Sequence, residues 1–322
     1  MNMIEVKQLT KRYGDKVAVK DLSFTAAKGE ILGFLGPNGA GKTSTMRVIT
    51  GFIPPTSGTV KVDGLDVVEN VLETRRRIGY LPEYSPLYPE MTVADFLDFM
   101  AEMKEIEPGK KQKEIDRVVE QLELGPVFNR LTGNCSLGYR HRIGLAHALL
   151  GDPEILILDE PTSGLDPRQR IEIRDLIRGL SGRRTVILSS HVLPEVQQTC
   201  ERVVIINNGE LVAVDTPTGL ATRMKGVATL SVTVRGSANK AQKAIKQIPG
   251  VLEIDIEADK REKNINRLTV SASPDKDLRE LIFRALASSD VAVLELSAQD
   301  ASLEDVFLQL TTEDPQRKEV VQ

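Results

Sequence analysis

The chain has 322 residues, of which 41% are hydrophobic and 27% are charged, and its formal net charge is −4. This length favours one large domain plus a smaller one, and the ordinary composition excludes a disordered or collagen-like chain. The small net charge gives no sign of the basic surface that binds nucleic acid, so no nucleic-acid partner is expected.

The first residues and the cysteines indicate a protein that stays inside the cell. Residues 1–7 carry Glu5 and no apolar run after a basic start, which is not the pattern of a signal peptide. Cys135 and Cys200 lie far apart with no histidine spacing beside them, so neither a zinc site nor a disulfide framework is expected. The longest apolar stretches are far shorter than the about 18 residues that a membrane-spanning helix needs.

A strand is predicted at residues 31–35, and a helix is predicted to run to about residue 50. The segment between them fits the phosphate-binding pattern G-x-x-x-x-G-K-[ST], and it consists of Gly36, Pro37, Asn38, Gly39, Ala40, Gly41, Lys42 and Thr43. Its glycines let backbone N–H groups and the helix N-terminus face phosphates. Lys42 is expected to reach the β- and γ-phosphates of a nucleotide, and Thr43 to offer its hydroxyl to Mg²⁺. The alternative is a glycine-rich turn without a ligand.

Residues 88–150 have the pattern of a nearly all-helical subdomain. Two helices with one apolar face each are predicted, on Val93, Phe96, Leu97 and Met100 and on Ile115, Val118, Val119 and Leu122. Thr92 with Asp95 predicts the first N-terminal cap, and Gly125 with Pro126 predicts the end of the second helix.

The next predicted strand, at residues 155–158, ends in two acidic residues, Asp159 and Glu160. Ligands of α/β sheets collect at the carboxyl ends of such strands. Asp159 is therefore expected to hold Mg²⁺, and Glu160 to act on an attacking water as a general base. The alternative is structural, because an apolar strand that ends in an acid is common. Further strands at residues 185–188 and 203–206 complete a largely parallel α/β sheet.

After about residue 225 the pattern changes to shorter strands with alternating apolar residues. The order strand-helix-strand-strand-helix-strand predicts a small ferredoxin-like α+β domain over residues 225–312, followed by a polar tail at 313–322. The domain is expected to close with a helix at residues 302–310. Its two earlier helices are predicted to bury Ala241, Ala244, Ile245 and Ile248, and Leu278, Leu281, Ile282 and Leu286.

Residues 135–140, here called the signature segment, have the sequence Cys-Ser-Leu-Gly-Tyr-Arg and precede an apolar helix. This segment resembles the L-S-G-G-Q signature of ABC transporter ATPases, from which it departs at Cys135, Leu137 and Tyr139. Other family elements appear in order: Tyr13 matches the aromatic that stacks on adenine, residues 163–166 resemble the D-loop, and His191 matches the switch histidine. The resemblance covers roughly residues 3–222. It implies a P-loop NTPase domain of the ABC ATPase type over residues 1–224, with a mostly parallel sheet and a helical subdomain.

The resemblance also implies a site that two subunits complete. ATP and Mg²⁺ are the implied ligands, with Lys42, Glu160 and His191 as catalytic residues and Tyr13, residues 36–43 and Ser44 around the nucleotide. Ser136 and Gly138 are expected to act in trans on the partner's ATP, within a homodimer or a pair with a related ABC ATPase. Thr43, Asp159 and Glu83 are expected around Mg²⁺. Glu83 stands where most members carry glutamine, so it adds negative charge beside the phosphates.

Residues 78–83 with residues 136–140 resemble the ABC-2 exporter ATPases and, within them, the gliding-motility-associated branch. This implies a separate membrane permease, received near residues 84–103, and a peripheral place on the cytoplasmic face of the membrane. Two alternatives stay open: a non-transport ABC ATPase that acts on ribosomes or DNA, and a regulatory module that holds ATP without hydrolysis. His141 is expected to be a solvated charge at the start of its helix.

Overall fold

Two compact units make up the chain, residues 1–217 and residues 218–322. The structure, a computed structural model, describes residues 2–223, 228–258, 264–273, 277–289 and 291–299. The strands of the first unit are β1 (Asn2–Tyr13), β2 (Lys16–Ala27), β3 (Ile31–Leu35), β4 (Ser57–Val62), β5 (Leu65–Asp66), β6 (Ile78–Leu81), β7 (Ile155–Asp159), β8 (Thr185–Ser190), β9 (Arg202–Asn207) and β10 (Glu210–Asp215). Its helices are α1 (Lys42–Ile49), α2 (Val71–Arg77), α3 (Val93–Met103), α4 (Pro108–Gln121), α5 (Leu137–Leu149), α6 (Pro167–Arg178) and α7 (Leu193–Thr199), and α8 (Pro217–Arg223) begins at its last residue.

The six-stranded sheet of the first unit has the order β10-β9-β3-β8-β7-β6. Neighbouring strands are parallel from β9 to β6, and β10 is antiparallel to β9. The four strands predicted from apolar runs all lie in this sheet, which confirms the largely parallel α/β arrangement. Parallel strands are buried on both faces and so need continuous apolar runs. Every residue of β3 and β7 is accordingly buried.

The second sheet of this unit, β2-β1-β4-β5, is antiparallel and was absent from the sequence prediction. Its core side chains include Ile4, Val6 and Leu9. The pairing of β1 with β2 shifts register several times, and Gln8 has a φ of 50°. Bulges of this kind break the two-residue alternation by which a half-buried strand is recognised.

The helical subdomain contains α3, α4 and α5 between β6 and β7. The predicted faces are confirmed, with Phe96 and Leu97 of α3 and Val118 of α4 fully buried. Thr92 caps α3 by accepting a hydrogen bond of 3.1 Å from the Asp95 backbone N–H, as predicted. α4 ends at Gln121, before the predicted stop, and Gly125–Val127 form a 3-10 turn.

Two cations from this subdomain hold the C-terminal end of α5. The Lys104 ammonium donates to the carbonyls of His147 and Leu150 at 2.7 and 2.8 Å, and Arg117 donates to the Leu149 carbonyl at 2.9 Å. The last carbonyls of a helix lack partners within the helix and carry partial negative charge. These contacts therefore join α3 and α4 to the helix whose N-terminus carries the signature segment.

His147 makes the stability of this subdomain sensitive to acid. Its ring contacts Phe96 edge-on, and burial together with the nearby Lys104 lowers the pKa of His147 to about 4. An unfolded histidine has a pKa near about 6.5, so the contribution to stability is complete above that pH and is lost as the pH falls through about 4. We expect His147 to account for about 2 kcal/mol of lost unfolding free energy between pH 7.5 and pH 5.

Denaturant unfolding at these two pH values checks this expectation. The variant His147→Leu should lose less stability on acidification than the parent chain, because the carboxylates that also titrate are common to both. Equal losses in the two proteins would remove His147 as the cause.

The second unit contains β11 (Ala228–Arg235), α9 (Ala238–Lys246), β12 (Val251–Ala258), β13 (Ile265–Ala272), α10 (Arg279–Ser288) and β14 (Ala292–Gln299). This is the predicted order of elements, and the strands form an antiparallel sheet in the order β12-β13-β11-β14. Val232 and Val270 of the sheet and Ile245 and Ile282 of the helices form its core. Leu281 was predicted to be buried but is 48% exposed, because α10 turns Ile282 and Leu286 inward. The predicted helix at 302–310 and the tail at 313–322 lie outside the described residues.

Among the residues that the structure describes, no helix has the length and apolar character that a membrane crossing needs.

Candidate functional site

The carboxyl ends of β3, β7 and β8 meet at one edge of the parallel sheet. The segment at residues 36–43 follows β3, Glu160 follows β7 and His191 follows β8. The fold thereby brings together three predicted site segments that lie far apart in the sequence. This edge is where open α/β sheets bind ligands.

Glycines shape the phosphate-binding segment. A Cβ atom on Gly36 would lie 2.6 Å from the carbonyl oxygen of Ile206, and Gly41 has a φ of 102°. A larger side chain is therefore excluded at Gly36 by contact and disfavoured at Gly41 by conformation. No side chain caps the N-terminus of α1 and no acidic residue lies in its first turn. The N–H groups of that turn remain available for an anion.

Lys42, the first residue of α1, is buried with 6% exposure at this edge of the sheet. Its ammonium donates to the Gly36 carbonyl at 2.8 Å and lies 3.2 Å from Glu160 Oε1. A buried cation needs partners of opposite charge, and here a carboxylate fills that role. Lys42 is placed to exchange this partner for the phosphates of a nucleotide.

Asp159 is fully buried at the end of β7. Its Oδ1 accepts a hydrogen bond of 2.5 Å from the Ser189 hydroxyl. Burial raises the pKa of Asp159, while the bond to Ser189, the nearby Thr43 hydroxyl and the charge of Lys42 act in the opposite direction. Oδ2 has no hydrogen-bond partner. A buried carboxylate oxygen without a partner, beside a threonine hydroxyl, fits the oxygen ligands that Mg²⁺ prefers.

Glu160 lies between two groups that orient its carboxylate. Oε2 is 2.9 Å from His191 Nδ1, and Oε1 faces Lys42. The side chain of Glu160 is only 7% exposed, whereas that of His191 is 44% exposed. The carboxylate is thus fixed at the cavity wall, and His191 reaches toward solvent.

Lys42, Glu160 and His191 line a cavity of about 560 Å³. Asn38, Gly39, Gly41, Thr43 and Ser44 also line it. Tyr13 also lines it, with its hydroxyl 3.5 Å from Ser44 Oγ. Lys11 lies 5.3 Å from the centroid of the Tyr13 ring, so one face of the ring already has a cationic neighbour. A base that stacks on Tyr13 would use the other face.

Glu83 lines two neighbouring cavities, the one just described and a second of about 430 Å³. Tyr84 and His141 also line the second cavity. The chain directly after Glu83 packs against α5, since a Cβ on Gly144 would lie 3.1 Å from the Ser85 Cβ. Glu83 therefore sits between the nucleotide cavity and the helical subdomain.

Ser136 and Gly138 line a separate cavity, together with Gln169. Ser136 caps α5 by accepting a hydrogen bond from the Tyr139 N–H, and Gly138 lies against the Gln169 amide. The structure therefore does not place the signature segment on the cavity of its own chain. The action of Ser136 and Gly138 on a partner's nucleotide stays a prediction.

The prediction for His141 was wrong, since this residue is 9% exposed and not solvated. Its Nδ1 lies 2.9 Å from the Pro161 carbonyl oxygen. The position faces inward because α5 packs on the segment after Glu160, a contact between residues 20 apart in sequence. Arg140, by contrast, is exposed, and it donates to the Cys135 carbonyl.

Sequence reasoning also missed Ser189, Lys16 and Ala18. Ser189 pairs with Asp159 in the register of β7 and β8, and its hydroxyl accepts a bond of 3.0 Å from the Glu160 N–H. A serine at the end of a buried strand could have indicated this. Lys16 and Ala18 reach the cavity from the antiparallel sheet, whose arrangement the pattern did not predict.

Comparisons with known proteins identify the family of this chain. The family model described as ABC transporter matches residues 19–163. The linearmycin resistance ATP-binding protein LnrL of Bacillus subtilis (strain 168) is 34% identical over 319 residues, which is 96% of this chain and 98% of that protein. The bacitracin transport ATP-binding protein BcrA of Bacillus licheniformis is 35% identical over 310 residues, with coverage of 96% and 97%.

Solved structures match a smaller part of the chain. An ATP binding subunit of an ABC transporter is 26% identical with a TM-score of 0.63, over 69% of this chain and 92% of that one. A bacterial ABC transporter cassette, solved as a dimer, is 25% identical with a TM-score of 0.61, over 66% of this chain and 98% of that one. LnrL and BcrA therefore align with nearly the whole chain, and these two solved structures align with about two thirds of it.

Proposed function

Because this chain belongs to the family of ABC transporter ATP-binding proteins, we propose that it hydrolyses ATP in the cavity of the first unit to drive a membrane exporter. The observation that supports this best is the position of Glu160. Its buried carboxylate lies between Lys42 and His191 at the wall of the cavity that the phosphate-binding segment forms.

The positions of the residues around this cavity support the following roles. Lys42 and the first turn of α1 neutralise the phosphates, and Glu160 accepts a proton from the attacking water while His191 orients the carboxylate. Thr43 and Asp159 would hold Mg²⁺, with Glu83 beside them. Mg²⁺ supplies positive charge that stabilises the phosphoryl oxygens in the transition state.

A complete site requires two chains in this proposal. Ser136 and the N-terminus of α5 present N–H groups that can bind a γ-phosphate, but they lie outside the nucleotide cavity of the same chain. A head-to-tail dimer, either of this chain or with a related ABC ATPase, would bring them to the partner's nucleotide. The solved cassette that this chain resembles is a dimer.

The transport pathway is assigned to a separate permease. Tyr84 is 82% exposed and Tyr88 is 42% exposed beside the cavity of about 430 Å³, which is an apolar surface suited to a protein partner. Relatives that align over nearly the whole chain are named for antibiotic resistance and transport. This likeness supports export, and the proposal places the chain peripherally on the cytoplasmic face of the membrane.

Purification from native membranes tests the assignment. We expect the affinity-tagged chain to retain a membrane-spanning protein in mild detergent, and Tyr84→Arg to lose it, because a charge would be buried at the interface. Glu90→Arg is a control that places the same arginine side chain on a nearby exposed residue, with an even larger change of charge. Recovery of soluble partners alone by the parent chain would contradict a transport function.

A further inference from the structure

The backbone of Glu160 adopts a conformation that a non-glycine residue seldom takes. Its φ is 50°, in the left-handed region, whereas the residues before it form the regular strand β7. Such a conformation costs free energy and persists only where neighbouring contacts hold it. It directs the carboxylate of Glu160 toward Lys42 and His191, so the contacts that hold it also position this carboxylate.

Three sets of backbone contacts hold the segment at Glu160. The Glu160 N–H bonds to Ser189 Oγ at 3.0 Å, and the Glu160 carbonyl accepts the Ser163 N–H at 3.0 Å. The next carbonyl, that of Pro161, lies 2.9 Å from His141 Nδ1. The first two contacts come from the sheet and from the turn itself. His141 alone of the three partners comes from α5.

The chemistry of the His141 contact is defined. A carbonyl oxygen only accepts, so Nδ1 must carry the proton and donate. Burial lowers the pKa of His141, which keeps the ring in a neutral form at pH 7. A neutral, buried donor satisfies the Pro161 carbonyl without adding charge beside Asp159 and Glu160.

We propose that His141 is a positioning residue that, through the Pro161 carbonyl, holds Glu160 in its left-handed conformation and links it to α5. This inference rests on the proposed function of Glu160 as the base. Within one chain the contact joins the group that acts on its own ATP to α5, whose N-terminus is assigned to the partner's ATP. A displacement of α5 would therefore move the Pro161 carbonyl and change the orientation of the Glu160 carboxylate.

Two substitutions separate the effect of the Nδ1–H donor from the effect of the size of the His141 side chain. His141→Leu fills the position with a side chain of comparable size but removes the donor, whereas His141→Asn places an amide N–H at the same distance along the side chain as Nδ1. We expect His141→Leu to lower kcat for ATP by about tenfold, with KM and ATP-dependent dimerisation within about twofold of the parent chain. His141→Asn should recover most of kcat.

His147→Leu is the matched control, because it removes another buried imidazole from the same helix without touching Pro161. Steady-state ATPase, nucleotide titration and thermal melting are measured on all variants. The proposal is overturned if folded His141→Leu keeps a kcat within about twofold of the parent chain, or if folded His141→Asn is as slow as His141→Leu. Retained turnover in Glu160→Gln would instead contradict the base assignment itself, so the two failures are distinguishable.

Discussion

Glu160→Gln is expected to bind ATP at least as tightly as the parent chain does, while its kcat falls by about two to four orders of magnitude. An amide cannot accept the proton of the attacking water, so the loss should appear in kcat and not in KM. Binding is preserved because the substitution also removes the ion pair between Glu160 and Lys42, which leaves the ammonium free for phosphates. ATP-dependent dimers should accumulate, since the step that dissolves them is slowed.

Steady-state ATPase over a Mg²⁺ titration, together with fluorescent-nucleotide binding and size-exclusion chromatography, measures these effects. The titration also separates an ATPase from a module that only holds ATP, because only the former shows Mg²⁺-dependent turnover. Glu30→Gln is the matched control: Glu30 is a buried, ion-paired glutamate, but it precedes β3 at the opposite end from the cavity. Parent-like turnover in Glu160→Gln would show that another group acts as the base.

Lys42→Met is expected to abolish ATP binding at concentrations that saturate the parent chain, and turnover with it. Lys42 is the buried cation at the floor of the cavity, where charge interacts more strongly than in water. Methionine keeps most of the volume but none of the charge. The change also leaves Glu160 with His191 as its partner, and a buried carboxylate that loses a cation destabilises a fold by about 3–5 kcal/mol.

Thermal melting must therefore accompany the binding assay. Lys16→Met provides the control, since Lys16 lines the same cavity from an exposed position. We expect this control to weaken ATP binding only slightly. A folded Lys42→Met protein with the nucleotide affinity of the parent chain would place the phosphates elsewhere.

The parallel sheet and the centre of the site could be predicted from the sequence because their signals are local. A continuous apolar run that ends in Asp159 and Glu160 can be recognised without knowing which segments pack against it. The same is true of the glycine-rich segment before Lys42. The carboxyl ends of parallel strands lie at one edge of a sheet, so the sequence also predicted that Lys42 lies close to Asp159 and Glu160.

The parts that the sequence did not predict depend on contacts between distant segments. The antiparallel sheet was missed because its bulges break the alternation, and Lys16 was missed with it. His141 has a polar side chain near a helix start, and only the approach of Pro161 shows that it is buried. Ser189 becomes a site residue only through its register with Asp159.

The ion pair between Lys42 and Glu160 has a consequence for nucleotide release. Glu160 gives the lysine a partner of opposite charge within the chain, so departure of the product need not leave Lys42 as an unpaired buried cation. The same carboxylate competes with the phosphates of every incoming nucleotide for Lys42, which weakens the binding of substrate and of product. We therefore expect this ion pair to favour nucleotide exchange over retention, which suits a cycle in which each nucleotide must leave before the next arrives.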